Sequence, residues 1–248
     1  NGKGTLMVTE SVEQGRNPEM SKTAMELEYQ RLLGVKKVIW LKKGLLEDSH
    51  TFLGPLTTID NLKAYTVVTT NGHVDEFARF VNDSTILLAS VDSADLKDPI
   101  AWENHKRMEE NHKILLESTD QDGKPFNIIR MPLPESILTT MSPGDYVYDY
   151  IKTLDYTDGS AFPAGETINV VAAASYLNFI ITSEVIVGQK YWREGMPEEI
   201  KTRDAETKAQ LASVFPNRKV VMIDALAVNL GGGGLHCISM HQPHLISN

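Results

Sequence analysis

Three stretches of the chain carry a hydrophobic and polar pattern that reads as helix, polar turn and buried strand. In the first, Ser21 stands where an N-cap belongs, Met25, Tyr29, Leu32 and Leu33 recur at helical spacing, and Gly34 is placed to end the helix. Val38-Ile39-Trp40-Leu41 then reads as a strand. In the second, Trp102 to Leu116 is predicted as a helix, Asp120-Gln121-Asp122-Gly123 as a turn and Phe126-Asn127-Ile128-Ile129 as a strand. In the third, Ala205, Ala209, Ala212 and Val214-Phe215 mark a helix, Pro216-Asn217 its stop and Val220-Val221-Met222-Ile223 the next strand. The strands recur roughly every 90 residues, a spacing that fits a modular, pseudo-repeated α/β protein. Alternation of helix and strand is common to every α/β fold, so the repeat is a hint about architecture and no more.

The first and third units run into glycine and histidine. After the first, a loop from His50 to Asn61 leads to Thr66-Val67-Val68-Thr69-Thr70, predicted as a strand, and then to Asn71-Gly72-His73-Val74-Asp75-Glu76-Phe77-Ala78-Arg79-Phe80. After the third comes Gly231-Gly232-Gly233-Gly234-Leu235-His236-Cys237, which holds the only cysteine among 248 residues. Each segment is expected to follow a strand, and the two to converge on one cleft. A single cysteine is more often core packing than chemistry. Four successive glycines, however, have no use inside a packed strand; they let backbone approach a ligand and adopt positive φ. His236, Ser239, His241, Gln242 and His244 also make this a polar neighbourhood. In extended backbone His73 and Asp75 share a face. That pairing suits proton transfer and binding of a cation, although the same alternation makes an ordinary polar surface strand.

Composition narrows the classes. With 42% hydrophobic and 23% charged residues, the chain fits one large globular domain or two small ones. No run approaches the roughly 18 apolar residues of a membrane span, and Asn1-Gly2-Lys3-Gly4 carries no signal-peptide pattern. A secreted protein with its signal removed would look the same, so the compartment stays open. One cysteine excludes an internal disulfide framework and a multi-cysteine zinc site. His236-x4-His241-x2-His244 has no second cluster of suitable spacing, so no metal is expected. A formal net charge of −9 disfavours nucleic acid as a partner and favours a cationic ligand.

The segment from Gly72 to Phe80 and that from Gly231 to Ser239, followed by Gln242-Pro243, resemble the agmatine deiminase and bacterial-type peptidylarginine deiminase family of guanidine-modifying enzymes. Arg16-Asn17-Pro18, Leu33 to Leu41 and Ala174-Ser175-Tyr176-Leu177-Asn178-Phe179 add to the resemblance, which runs from about residue 5 to residue 243 in the family's order. It implies a pentein-type α/β propeller with pseudo-fivefold symmetry, residues 1–248 being one deiminase-type domain that supplies the C-terminal blades, about the C-terminal two thirds of the family's length.

The family also implies the site. Cys237 attacks the central carbon of a guanidinium as thiolate, helped by neighbouring positive charge or by the substrate's own. His73 protonates the departing ammonia and then activates the water that hydrolyses the thiouronium adduct. Asp75 holds guanidinium nitrogens through charge-assisted hydrogen bonds, and Asn178 and Gly234 complete the substrate contacts. Asn178 reads equally well as a turn asparagine. The expected reaction turns a guanidino group of agmatine, arginine or peptidyl arginine into a ureido group, with no cofactor and no metal. A binding or toxin-like protein without turnover and an amidinotransferase are the alternatives; Cys237, His73 and Asp75 together favour the hydrolase.

The chain departs from the family in two ways. It has no Arg-Asp-x-Gly-Pro motif, its only Arg-Asp being Arg203-Asp204, and no Glu-Gly-Gly. A companion polypeptide carrying that N-terminal segment, from the same precursor, is therefore expected, and assembly into a homo-oligomer is open; nucleic acid and membrane are not expected partners. The loop between Gly44 and Gly72 is long and carries Phe52, Leu53, Pro55 and Tyr65, which reads as a surface insertion before a device for specificity.

Overall fold

The computed structural model describes residues 1–49 and 51–240. In chain order its regular elements are β1 (Thr5–Thr9), α1 (Glu10–Arg16), α2 (Lys22–Leu33), β2 (Lys37–Leu41), β3 (Leu56–Thr57), β4 (Lys63–Thr66), β5 (Ala78–Phe80), β6 (Thr85–Ser90) and α3 (Pro99–Glu117). There follow β7 (Asn127–Pro132), β8 (Leu138–Met141), α4 (Tyr146–Ile151), β9 (Ile168–Val171), β10 (Ile180–Ile181), β11 (Val185–Lys190), α5 (Glu198–Val214), β12 (Lys219–Asp224) and α6 (Leu226–Leu230).

The strands form four small sheets among the described residues: β1-β2, β5-β6-β7, β3-β4-β9-β8 and β10-β11-β12. Two share one plan. In each, an antiparallel pair is followed by a long helix and a strand parallel to the second: β5, β6, α3, β7 and β10, β11, α5, β12. The pair β1 and β2, parallel and joined through α1 and α2, carries the helix-to-strand half of that plan. The repeat seen as three helix-to-strand steps in the sequence is thus a repeat of sheets. Ile86, Leu87, Leu88 and Ala89 of β6 are wholly buried, because strands flank β6 on both sides and α3 packs against it.

Local chemistry sets the boundaries. Ser21 Oγ accepts the Ala24 N–H at the start of α2, and Gly34 ends it at φ 66°. The second helix starts three residues before Trp102, at Pro99, because Asp98 caps it and proline suits its first turn. The apolar spacing of α2 misleads, however: Leu32 and Leu33 face solvent, and the helix meets β2 through Met25 and a 2.6 Å bond from Trp40 Nε1 to Glu26 Oε1. On α5 the alanines are outside, and the buried face is Asp204, Thr207 and Leu211. Asp204 accepts the Tyr176 hydroxyl and the N–H groups of Tyr191 and Trp192, which makes a buried carboxylate tolerable.

Two connections differ from expectation. β4 ends at Thr66, so Val67 to Thr70 lie outside the sheet. The glycine run follows α6 and not a strand. The long insertion forms the β3-β4 hairpin, which joins β9, and Tyr65 packs on Tyr156 and Phe162.

Candidate active site

The turn that carries His73 is built by a buried carboxylate. Asp48 accepts the N–H groups of Thr70, Gly72 and His73, at 3.0, 3.1 and 3.0 Å, and the Thr70 hydroxyl at 2.8 Å. Gly72 takes φ 94°, and a Cβ on Gly44 would stand 2.4 Å from its Cα. Both positions therefore require glycine. The segment bearing Asp48 is fastened in turn by α3. Asn104 Oδ1 accepts Leu46 N–H, Asn111 bonds Lys42 N and Lys43 O, and Arg107 donates to Gly44 O.

After His73 the chain does not continue extended, as the alternating pattern suggested; Val74–Glu76 is a single 3-10 turn. The tighter winding sends Asp75 and Glu76, neighbours in sequence, to the same sulfur. Cys237 Sγ lies 3.5 Å from Asp75 Oδ2 and 3.4 Å from Glu76 Oε1.

Asn178, wholly buried, ties these parts together. Its Nδ2 reaches Asp75 Oδ2 at 3.0 Å, Glu76 Oε1 at 2.9 Å and Cys237 Sγ at 3.2 Å. Its Oδ1 accepts the N–H of His236 at 2.7 Å and of Cys237 at 3.4 Å. Arg79 secures the flanking backbone by donating to the carbonyls of Leu177 and Phe179. Asn178 stands between the turn at Tyr176-Leu177 and β10, as the turn reading expected, with its carboxamide on the sulfur and both acids.

The glycine run is shaped by contact. A Cβ on Gly232 would fall 1.6 Å from Val68 O, and one on Gly234 2.4 Å from Asn178 Oδ1. Asn229 donates to Gly233 O and to Gln189 Oε1, Gln189 donates to Ser175 O, and the Ser175 hydroxyl donates to Glu76 O. One buried chain of bonds therefore runs from the glycine loop to the acidic turn.

The electrostatics oppose a free thiolate. Burial pushes the Cys237 thiol up to about 12, with Glu76 and Asp75 adding to it, against stabilising hydrogen bonds from Gly234 N–H and Asn178. The activating positive neighbour envisaged for the thiol is thus outweighed by acids, leaving a bound guanidinium as the source of that charge. Burial also acts to raise Asp75, but the 2.5 Å contact with His236 Nδ1 and nearby cations bring it below the usual carboxylate range. Glu76 is raised well above that range by burial, then by Asp48 and Asp75.

His73 stands apart from the sulfur. Arg16 Nη2 lies 2.8 Å from His73 Nε2; arginine only donates, so Nε2 accepts. His73, Arg16, Glu13, Asp75 and His236 line a cleft of about 330 Å³ with an apolar floor of Met7, Val8 and Val12. A smaller cleft of about 180 Å³ adjoins it and shares Asp75 and His236. None of Phe52, Leu53, Pro55 or Tyr65 lines either.

Of the five residues singled out in the sequence, Cys237, Asp75, Asn178 and Gly234 form one contact group, and His73 lines the cleft that Asp75 also lines. Glu76, Asp48, Arg79 and Asn229 had no assigned role. Glu76 was visible beside Asp75, but only a helical turn, and not a strand, aims both inward. Among the described residues no group of three or more histidine, cysteine, aspartate or glutamate side chains is arranged to hold a metal. His241, Gln242 and His244 lie outside the described residues.

A mixed α/β chain that brings cysteine, asparagine and paired carboxylates together beside a histidine-lined cleft matches a known class: the chain belongs to the Porphyromonas-type peptidyl-arginine deiminase family, whose profile matches residues 1–66 and 56–243. Among individual relatives it is 33% identical over 244 residues to agmatine deiminase of Pseudomonas aeruginosa (strain UCBPP-PA14) and 31% over 249 residues to that of Medicago truncatula. Each alignment covers 98% of this chain and 54% of the relative. The solved agmatine deiminase of Enterococcus faecalis superposes with a TM-score of 0.65 at 25% identity, covering 96% of this chain and 53% of that one. The chain therefore spans about half the length of the curated relatives it matches, less than the two thirds its motifs suggested.

Proposed function

We propose that this protein is a cysteine-dependent hydrolase that converts a guanidino group to a ureido group and releases ammonia. The observation that carries the reading is the placement of the single cysteine sulfur beside Asp75 and Glu76, held there by Asn178. Two carboxyls beside one sulfur suit a planar cation and suit a free thiolate poorly. A guanidinium would lay its nitrogens on Asp75, and its charge would favour ionised sulfur. Sulfur attack on the central carbon gives a tetrahedral adduct; His73 protonates the departing ammonia, and the thiouronium left behind is hydrolysed by water that His73 deprotonates. For this the substrate takes the place of Arg16 at Nε2, which binds a proton from solvent, gives it to the leaving ammonia and takes one back from the attacking water. Gly234 contributes its N–H to the sulfur, and Asn178 positions the acids. The agmatine deiminase relatives favour agmatine, with arginine and peptidyl arginine as the other substrates to test.

The repeated strand-strand-helix-strand plan supports a wider reading, in which residues 1–248 form one deiminase-type domain and supply C-terminal blades of a pseudo-fivefold propeller.

The decisive assay follows ammonia and ureido product from agmatine, arginine and an arginine-containing peptide, with Cys237→Ala as control. Turnover by the native protein that the control loses by at least about a thousandfold supports the covalent mechanism. Equal rates in the two, or no product from any substrate, would overturn the reading.

A further inference from the structure

Glu76 is the carboxyl of the cluster that the reaction above leaves without a task. It is fully enclosed, with Oε1 3.4 Å from Cys237 Sγ and 2.9 Å from Asn178 Nδ2, while Oε2 has no hydrogen-bond partner. The other acceptor beside the sulfur, Asp75 Oδ2, already serves His236 and Asn178 and is a weak base. Glu76 shares the bond from Asn178 but, among the described residues, has no histidine partner and keeps a second oxygen unpaired. A buried carboxylate with an unsatisfied oxygen holds its proton firmly, and the acids Asp48, Asp75 and, further off, Glu47 reinforce this. On its other sides stand the guanidinium of Arg79 and the phenol of Tyr191, both within electrostatic reach.

We propose that Glu76 is the base for the nucleophile: Cys237 and Glu76 share one proton, and a guanidinium in the site moves it from Sγ to Oε1. In this step the S–H bond breaks and its electron pair stays on sulfur, an O–H bond forms on Glu76, and the sulfur pair makes the new S–C bond. When water releases the adduct, the departing thiolate recovers that proton. The pair keeps the same total charge up to the attack, so binding needs no proton lost to solvent. This role rests on the deiminase reading, but its test does not need turnover.

Cys237 is the only cysteine of the 248 residues, so iodoacetamide labelling read on the peptide that carries it reports its thiolate alone. The form with charge on sulfur and proton on Glu76 holds as many protons as its reverse, so between the two titrations of the pair its fraction is independent of pH. The alkylation rate of the substrate-free wild type should therefore rise about tenfold per pH unit, run level over at least about one unit above the ordinary carboxylate range, and rise again. Glu76→Gln should remove the level stretch and Glu76→Asp restore it. An unbroken rise in the wild type overturns the proposal, whatever the variants do. So does a level stretch that survives Glu76→Gln and disappears in Asp75→Asn or Glu47→Gln. A chain inactive on every guanidino compound would sink the deiminase reading and leave this readout intact.

Discussion

Cys237, the nucleophile of the proposed reaction, is surrounded by the wrong charge for its own ionisation. With the thiol pushed up to about 12, its alkylation at pH 7 in the absence of substrate should be at least about tenfold slower than that of an ordinary free cysteine. Labelling as fast as a model thiol would show that the acids do not govern the sulfur. Glu47 makes a second test through stability. It is buried against Asn104 and raised from the usual carboxylate range to about 7, so the folded protein keeps a proton that the unfolded chain releases above about pH 4.5. Stability conferred by that proton is present in acid and is lost as the pH climbs to about 7, by an amount on the order of 3 kcal/mol. Urea unfolding of wild type and Glu47→Gln at pH 5 and pH 8 should show the variant losing less across the interval; parallel losses would refute the assignment. The sequence displayed Cys237, His73, Asp75 and Asn178 because each stands in a motif. It hid Glu47 and Asp48, whose importance comes from burial beneath a turn 24 residues away, as in the bond that Gly72 N–H donates to Asp48.

At the scale of elements, what the sequence made legible was local and what it concealed was long-range. Ser21 and Gly34 announced both ends of α2, and Pro216 the end of α5, because caps and stops act within a turn of chain. Which face of each helix is buried did not follow, since α5 turns Asp204 and Thr207 inward and α2 leaves Leu32 and Leu33 out. The 3-10 turn at Val74–Glu76 escaped for the same reason: its own bonds, Glu76 N–H to His73 O and Phe77 N–H to Val74 O, close it, but its start at His73 is fixed by the distant Asp48. The helix α3 is the element that transmits order to the site. Asn104, Arg107 and Asn111, on one face, grip the segment that carries Glu47 and Asp48. Asn111→Ala should cost about 1–3 kcal/mol by orphaning buried backbone groups. It should also slow turnover, which an equally destabilising change remote from this face, Leu211→Ala, should not. Equal effects on activity at matched stability would show that α3 only packs.

For the molecule as a whole, the net charge of −9 bears on which ligands approach the cleft. The cleft at Asp75 opens on an acidic protein, and on the deiminase reading a cationic substrate is gathered before it is bound. If the deiminase reading holds, kcat/KM should fall several-fold between about 0.01 and 0.5 M salt, with kcat nearly unchanged. A neutral substrate analogue should show no such slope. Steering of this kind would fail if kcat/KM were flat with salt.

Asn178 has one more consequence, for how such a site can change over time. Three side chains and two backbone groups depend on one carboxamide, and Gly234 has no room for a methyl group beside it. Substitutions at positions 75, 76, 178 and 234 cannot then be neutral one at a time, and their measured effects should be strongly epistatic. A lineage that leaves this chemistry would cross that barrier in a single concerted step or keep the asparagine long after the activity had gone.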